Sequence, residues 1–172
     1  MSTRYFGASI SRREDPRLLR GSGRYVDDIK LPGLLHAAIV RSTHAHARLR
    51  AVRVEAARAM PGVAGVFGFT DLAAWMRPIP QFGEAPEPLP SRIGLRMHET
   101  PRYPLARHKV RYVGEPVAVV VARTRAEAED AAERVSIEYE PLPAVIDTEA
   151  ALAPEAPRLF EELDSNVVLR FT

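Results

Sequence analysis

Two strand-forming runs on either side of a rigid break, within Lys109–Ala122, constrain the fold of this chain more than any other stretch. Residues 109–113 alternate between basic and apolar side chains, which predicts a half-buried strand with Tyr112 on its apolar face. Gly114-Glu115-Pro116 interrupts this pattern, because glycine permits unusual backbone angles and proline lacks an amide donor. The unbroken apolar run 117–122 then predicts a strand that is covered on both faces and forms the densest part of the core.

The rest of the chain predicts further strands separated by short helices. The other strand candidates are Leu34–Val40, Arg48–Val54, Val63–Phe69, Val135–Glu140 and Asn166–Thr172, and the glycine-rich turn at 21–23 predicts a short strand after it. Helices are predicted over Glu55–Met60, over Asp71–Trp75 with Thr70 as the N-cap, and to about Arg134 behind the capping box Thr124-Arg125-Ala126-Glu127. This order of strands and packing helices predicts an α+β fold with a mixed sheet.

Residues 77–104 differ from the remainder of the chain because they carry seven prolines and little periodicity. Proline disfavours both a helix and a central strand. A loop of this length is uncommon inside a compact domain and is usually functional or disordered. Two interpretations follow: a surface excursion without a role, or a loop that covers a partner or a substrate entrance.

Composition limits the function classes. The 172 residues, 46% of them hydrophobic, are enough for one domain with tails, and no apolar run approaches the ~20 residues of a membrane span. The N-terminus lacks the apolar centre of a secretory signal, so we expect a cytoplasmic protein. The absence of cysteine excludes disulfides, thiolate catalysis and iron–sulfur ligation by this chain. The net charge is only +2, and no basic run with interleaved aromatics suggests a nucleic-acid surface.

Three polar positions, His44, His46 and Glu115, are the preferred candidates for a site. His44 and His46 would share one face of a strand and could reach one metal, but no nearby acid or cysteine completes a ligand set. Hydrogen bonding at a strand end, or a subunit contact, is the preferred interpretation. Glu115 lies at the tip of the break and is either a partner contact or a solvated turn residue. With no nucleophile elbow, P-loop or zinc signature, no catalytic, cofactor-binding or metal-binding residue is assigned.

Several segments, taken together and in this order, resemble the start of the large subunit of molybdenum hydroxylases, the family of xanthine dehydrogenase, aldehyde oxidase and aerobic carbon monoxide dehydrogenase. The segments that carry this resemblance are Gly21-Ser22-Gly23-Arg24-Tyr25-Val26-Asp27-Asp28-Ile29, residues 31–37, residues 40–48, Met60-Pro61-Gly62-Val63, residues 110–118 and residues 135–145. The resemblance covers most of the chain and implies the α/β-hammerhead domain of that subunit.

The resemblance also implies a role. The chain would comprise an N-terminal segment at 1–20, the hammerhead domain at 21–152, and a tail or linker at 153–172 towards a molybdopterin-binding domain or partner. It would bind no cofactor alone and would not be catalytic alone. Molybdopterin with molybdenum, [2Fe–2S] clusters and FAD would belong to partner domains or subunits, with Glu115, His44 and His46 as possible partner contacts. The alternative is a stand-alone binding module for a small anion, through the arginines, or for a metal.

Overall fold

The computed structural model describes residues 7, 9–81, 94 and 96–170. The chain divides into two compact units, Met1–Leu34 and Leu35–Thr172. Parts of the proline-rich segment, residues 82–93 and 95, lie outside the described residues, so its predicted role as a loop over a partner or a substrate entrance stays a prediction.

The first unit contains a short helix, α1 (Asp15–Leu19), and a 3-10 helix at Val26–Asp28. The strand predicted after the glycine-rich turn is therefore wrong. The reason is a local hydrogen bond, because the Asp28 carboxylate accepts from the backbone N–H of Tyr25 at 2.9 Å and closes the chain into a tight turn. Neither helix contributes a buried residue.

The second unit is built from antiparallel sheets with helices packed on them. Its strands are β1 (His36–Arg41), β2 (Ala47–Arg53), β3 (Val63–Gly68), β4 (Arg96–Met97), β5 (Lys109–Val110), β6 (Pro116–Ala122), β7 (Ser136–Pro141) and β8 (Leu169–Arg170). The helices are α2 (Glu55–Arg58), α3 (Phe69–Leu72) and α4 (Arg125–Ala132), with a 3-10 helix at Ala150–Leu152. The described residues form sheets in the orders β1-β6-β3, β5-β2-β7 and β4-β8. The predicted α+β class is confirmed, but every strand pair among the described residues is antiparallel, so the sheets are not mixed as predicted.

Strand β6 lies at the centre of the first sheet and reaches both clusters of the core. Val120 packs with Val66, Val54 and the helix residues Ala57 and Ala131 in one cluster. In the other cluster, Val117 packs with Ala47, Ala106 and Val110. The predicted burial of this strand is confirmed on the face that carries Val120. On the opposite face only Val117 is buried, while Val119 and Val121 stay partly exposed.

The capping box before α4 is confirmed. Glu127 Oε2 accepts from the backbone N–H of Thr124 at 3.0 Å, and Thr124 Oγ1 accepts from the N–H of Glu127 at 3.2 Å. These two bonds satisfy donors that would otherwise be free in the first helical turn. The helix then buries Ala128 and Ala131, whose small side chains allow close packing on the first sheet.

The strand predicted over 109–113 is wrong beyond Val110. Lys109 and Val110 are both buried, whereas Tyr112, which the alternation placed on the apolar face, is 51% exposed. The ladder stops because the chain turns at Arg111, whose N–H donates to the Glu115 side chain instead of to a neighbouring strand. The predicted Thr70 cap is also wrong, since α3 begins after Gly68, whose N–H donates to Asp71 Oδ2 at 2.8 Å.

The last strand signal has a partner within the chain. Leu169 and Arg170 pair with Met97 and Arg96, so the strand predicted over 166–172 is confirmed at these two residues. The pairing also places a short strand inside the proline-rich segment. Such a strand is compatible with the prolines, because β4 contains only two residues and pairs on one side in the described sheet.

Candidate functional site

The turn between β5 and β6 is fixed to the end of β1 by a closed set of hydrogen bonds. The backbone N–H of Ser42 donates to the Glu115 carbonyl at 2.9 Å, and the N–H of Gly114 donates to the Ser42 carbonyl at 2.8 Å. Arg41 Nη1 donates to the Gly114 carbonyl at 2.9 Å. Gly114 adopts φ of +90°, a region that favours glycine. The turn is therefore held by a second strand as well as by its own sequence.

The Glu115 carboxylate lies inside this turn. The residue is only 6% exposed, and its Oε2 accepts from the backbone N–H of Arg111 at 2.5 Å. Burial raises the pKa of the Glu115 carboxyl above its ordinary value, and this shift is opposed by hydrogen bonds from the backbone of Arg111 and Tyr112 and by the charge of Arg111. The interpretation of Glu115 as a solvated turn residue is wrong. Its carboxylate orders the turn from within.

The side chains that the turn presents to solvent are apolar. Tyr112 is 51% exposed and Val113 is 64% exposed. Sequence reasoning missed them because alternation assigned both to a strand. The sequence Gly-Glu-Pro did signal a break, but the backbone of this turn is fixed by hydrogen bonds to Ser42, which is distant in the sequence.

His44 and His46 lie in the connection between β1 and β2 rather than on a strand, and they have different partners. His46 is 5% exposed, and its Nδ1 is 2.7 Å from the carbonyl oxygen of Pro143, so Nδ1 carries the donated proton. His46 Nε2 is buried and has no hydrogen-bond partner in the part of the chain that the structure describes. The His44 ring stacks on Tyr139 with centroids 4.3 Å apart. The prediction of hydrogen bonding at a strand end is confirmed for His46.

A segment of the predicted tail is anchored on β5. Lys109 Nζ is 3.4 Å from Glu161 Oε1, and Arg48 reaches the same oxygen at 3.6 Å. Arg111 Nε donates to the Leu159 carbonyl at 2.9 Å, and its guanidinium lies 4.4 Å from the centroid of the Phe160 ring. The charges of Lys109 and Arg48 lower the pKa of the Glu161 carboxyl. The irregular tail is thus part of the folded second unit around Glu161.

A cavity of about 350 Å³ lies between β2 and α3 and is lined partly by Arg50, Arg58 and Arg107. Two of these arginines already have carboxylate partners: Arg50 pairs with Glu140, and Arg58 pairs with Asp71 at 3.2 Å. Arg107 lies over the ring of Phe69, 5.7 Å from its centroid. An anion in this cavity would compete with existing ion pairs, which disfavours the small-anion alternative.

The described part of the chain contains neither a cluster of metal ligands nor a membrane-spanning helix. Within residues 7, 9–81, 94 and 96–170, no group of three or more His, Cys, Asp or Glu side chains is placed to hold a metal ion. The chain has no cysteine at all, so it supplies no thiolate ligand. Iron–sulfur clusters are held by such thiolates, so the described residues offer no ligand set for one. None of the helices in that part has the length and apolar character needed to cross a membrane.

The order and geometry of these elements match known proteins over most of the chain. The family model for the aldehyde oxidase and xanthine dehydrogenase a/b hammerhead domain matches residues 20–143. The carbon monoxide dehydrogenase large chain of Afipia carboxidovorans is 39% identical over 157 residues, which cover 91% of this chain and 18% of that one. The xanthine dehydrogenase molybdenum-binding subunit of Escherichia coli O157:H7 is 37% identical over 136 residues, covering 79% of this chain and 17% of that one.

A solved structure agrees with these matches. The quinoline 2-oxidoreductase of Pseudomonas putida 86 superposes with a TM-score of 0.79 at 45% identity, over 94% of this chain and 19% of that one. The chain thus spans less than a fifth of the relatives it matches. Both the family model and the fold lead to the same assignment. The chain belongs to the a/b hammerhead domain family of aldehyde oxidases and xanthine dehydrogenases.

Proposed function

We propose that this chain serves as the hammerhead domain or subunit of a molybdenum-containing hydroxylase or dehydrogenase, an oxidoreductase that takes its oxygen from water. The observation that carries the proposal is the match at 39% identity over nine-tenths of the chain to a carbon monoxide dehydrogenase large chain of which it covers 18%. A domain that recurs as a minor part of large enzyme subunits fits a supporting role better than a stand-alone binding module.

The supporting role is to hold together the parts that carry the cofactors. Under this proposal, a molybdopterin-binding domain or subunit holds the molybdenum, an iron–sulfur subunit holds the [2Fe–2S] clusters, and a flavin subunit holds FAD. The name of the Escherichia coli relative, a molybdenum-binding subunit, supports the first of these partners. The chain itself contributes no step of the reaction. The proposal includes a cytoplasmic location for the protein. It also includes the boundaries of the hammerhead domain, which separate it from the segment that ends at residue 20 and from the tail that follows residue 152.

The partner contacts follow from the turn geometry. Glu115 and His46 are buried, so they act by fixing the backbone that carries exposed neighbours. Glu115 holds the turn from which Tyr112 and Val113 project, and His46 ties the β1–β2 connection to Pro143. His44 is partly exposed beside Tyr139. An apolar pair on a preorganised turn binds a partner at low entropic cost. The proline-rich segment, residues 77–104, would add a further partner contact or a wall of the substrate channel.

The proposal is tested by exchanging domains. The stretch of the Escherichia coli O157:H7 molybdenum-binding subunit that matches this chain is replaced by this chain, and the purified protein is examined for bound molybdenum, for copurifying subunits and by its absorbance spectrum. We expect the chimera to retain molybdenum, whereas this chain alone should be colourless and metal-free. A chimera with Val120→Asp, which places a charge in the core, is the matched control and should not assemble.

A chimera that folds but contains no molybdenum, while the parent subunit retains it, would contradict the supporting role. A metal found in the isolated chain in stoichiometric amount would instead favour the stand-alone module.

A further inference from the structure

The two faces of the β1-β6-β3 sheet are covered differently. The face that carries Val66 and Val120 lies under the helices and is part of the core. On the opposite face, Val117 packs against Ala106 and Val110, so the second core cluster covers only the end of the sheet near the turn. Beyond Val117 this second face is not buried.

The open part of that face is apolar on all three strands. We call it the outer face, and its members follow from the cross-strand pairs Ala37 with Val121, Ile39 with Val119, Gly65 with Val121 and Phe67 with Val119. Residues that pair across antiparallel strands project from the same side of the sheet. Ala37 and Ile39 are exposed, Ile39 by 40%, and the other four are partly exposed.

This composition is unusual for a sheet face in contact with water. An antiparallel sheet with one solvated face normally alternates apolar residues inward with polar residues outward. Here strand β6 has no polar side chain on either face, and β1 gains its first charge on the outer face only at Arg41. The ring of Phe67 lies across Gly65, where an added Cβ would collide with it, so an apolar ring also covers the position without a side chain. The pattern indicates that something covers the face.

The size of the face suggests what kind of interface it belongs to. The open part holds two outward residues on each of three strands about 4.8 Å apart, over about 13 Å of strand, which gives an apolar patch of about 200 Å². A stable interface buries about 800 Å² per partner, and permanent interfaces are more apolar than transient ones. The outer face therefore fits the apolar centre of a permanent contact.

We propose that the outer face packs through its apolar side chains against the polypeptide that makes up the remaining four-fifths of the relatives' chains. The relatives extend far beyond the matched stretch, since this chain covers 17–19% of them. The inference rests on the proposed function, and it adds which side of the domain meets the larger part of the enzyme.

Accessibility of an introduced thiol measures this contact directly, because the chain has no cysteine of its own. Ile39→Cys is labelled with a maleimide in the isolated chain and in the assembled Escherichia coli chimera, with labelling read from the peptide masses. Ile146→Cys, at a loop position that is 92% exposed, is the control. We expect labelling of Cys at position 39 to be at least about tenfold slower in the chimera, and labelling at position 146 to be unchanged.

Equal labelling rates at position 39 would overturn the proposal. Protection that appears in the isolated chain and rises with its concentration would also overturn it, because a second copy of the chain would then be the occupant.

A charge on the outer face provides an independent measurement. Ile39→Lys should reduce the yield of assembled chimera several-fold, whereas Ile146→Lys should not, and neither should change the thermal unfolding of the isolated chain. If Ile39→Lys assembles normally, the outer face is not the contact although the proposed function stands. If the chimera without substitutions fails to assemble, the proposed function is contradicted and the inference falls with it.

Discussion

Replacement of Gly62 by another residue should destabilise the fold for two separate reasons. Its φ is +81°, and an added Cβ would collide with the carboxylate of Glu127. Glu127 cannot move away without leaving the Thr124 N–H that it caps at 3.0 Å. We expect Gly62→Ala to lower the free energy of unfolding by about 2–3 kcal/mol, from backbone strain of about 1–2 kcal/mol and loss of a cap worth about 1 kcal/mol. Urea denaturation measures this change.

Gly114→Ala is the matched control for Gly62→Ala. Gly114 also has a positive φ, of +90°, but nothing lies within 4 Å of an added Cβ. Only the strain of about 1–2 kcal/mol should apply there. Equal losses at the two positions would show that the contact between Gly62 and Glu127 contributes nothing.

Glu115 makes stability depend on pH in an unusual direction. Burial raises the pKa of its carboxyl in the folded chain, so its contribution to stability is fully present below the pKa of the unfolded chain. That contribution is lost as the pH rises through the raised folded pKa. Glu115→Gln keeps an oxygen that accepts from Arg111 but cannot ionise. We expect the stability of the native chain relative to Glu115→Gln to fall as the pH rises from about 4 to 7, measured by denaturation at several pH values.

Glu115→Ala separates the hydrogen bond from the charge. It leaves the N–H of Arg111 without its acceptor, so it should destabilise the chain by about 1–3 kcal/mol across the whole pH range. Parallel pH profiles for the native chain and Glu115→Gln would show that the carboxyl has an ordinary pKa.

At the scale of elements, local chemistry was predictable and distant hydrogen bonding was not. The capping box of α4 follows from Thr124 and Glu127 alone, because both partners lie within one helical turn. The extent of β5 does not, because the Arg111 guanidinium donates to the Leu159 carbonyl, 48 residues away, and the local bond from the Arg111 N–H to Glu115 has no sequence signature comparable to a capping box. A period-two pattern signals which residues can form a strand, but it does not show whether a neighbouring strand is present to pair with them.

The segment around Glu161 provides a prediction at the same scale. Glu161 is the anionic partner of buried Lys109, and the lowered pKa of Glu161 means that its contribution is present above the ordinary Glu pKa and is lost as the pH falls through the folded value. Glu161→Gln should make residues 153–170 more susceptible to limited proteolysis at neutral pH, by about two- to fivefold. Acidification should have the same effect on the native chain.

The neighbouring substitution Glu162→Gln is the control for Glu161→Gln, because Glu162 is also exposed and the structure shows no ion pair for it within the described residues. If both variants are cleaved at the same rate as the native chain, Glu161 does not anchor the tail.

At the scale of the molecule, the α+β class and the family followed from the sequence, but the arrangement of the sheets did not. Strand order depends on which distant segments meet, and β6 meets β1 and β3 rather than its neighbour in the chain, β5. The sequence indicated a break around Glu115, but neither the burial of Glu115 nor the exposure of Tyr112 and Val113 was predicted. The exposure of the outer face was not predicted for the same reason, since an apolar run is compatible with a strand that is covered on one face or on both.

The central position of β6 has a consequence for the synthesis of the chain. Strands β1, β2 and β3 leave the ribosome before β6, yet β1 and β3 pair with β6 and not with each other. Val120 belongs to one core cluster and Val117 to the other. A nascent chain that stops before residue 116 therefore lacks one buried valine of each cluster. Until then the apolar segments of β1 and β3 remain unpaired and open to aggregation. Pausing of translation before this strand would lengthen that interval, whereas pausing after it would not.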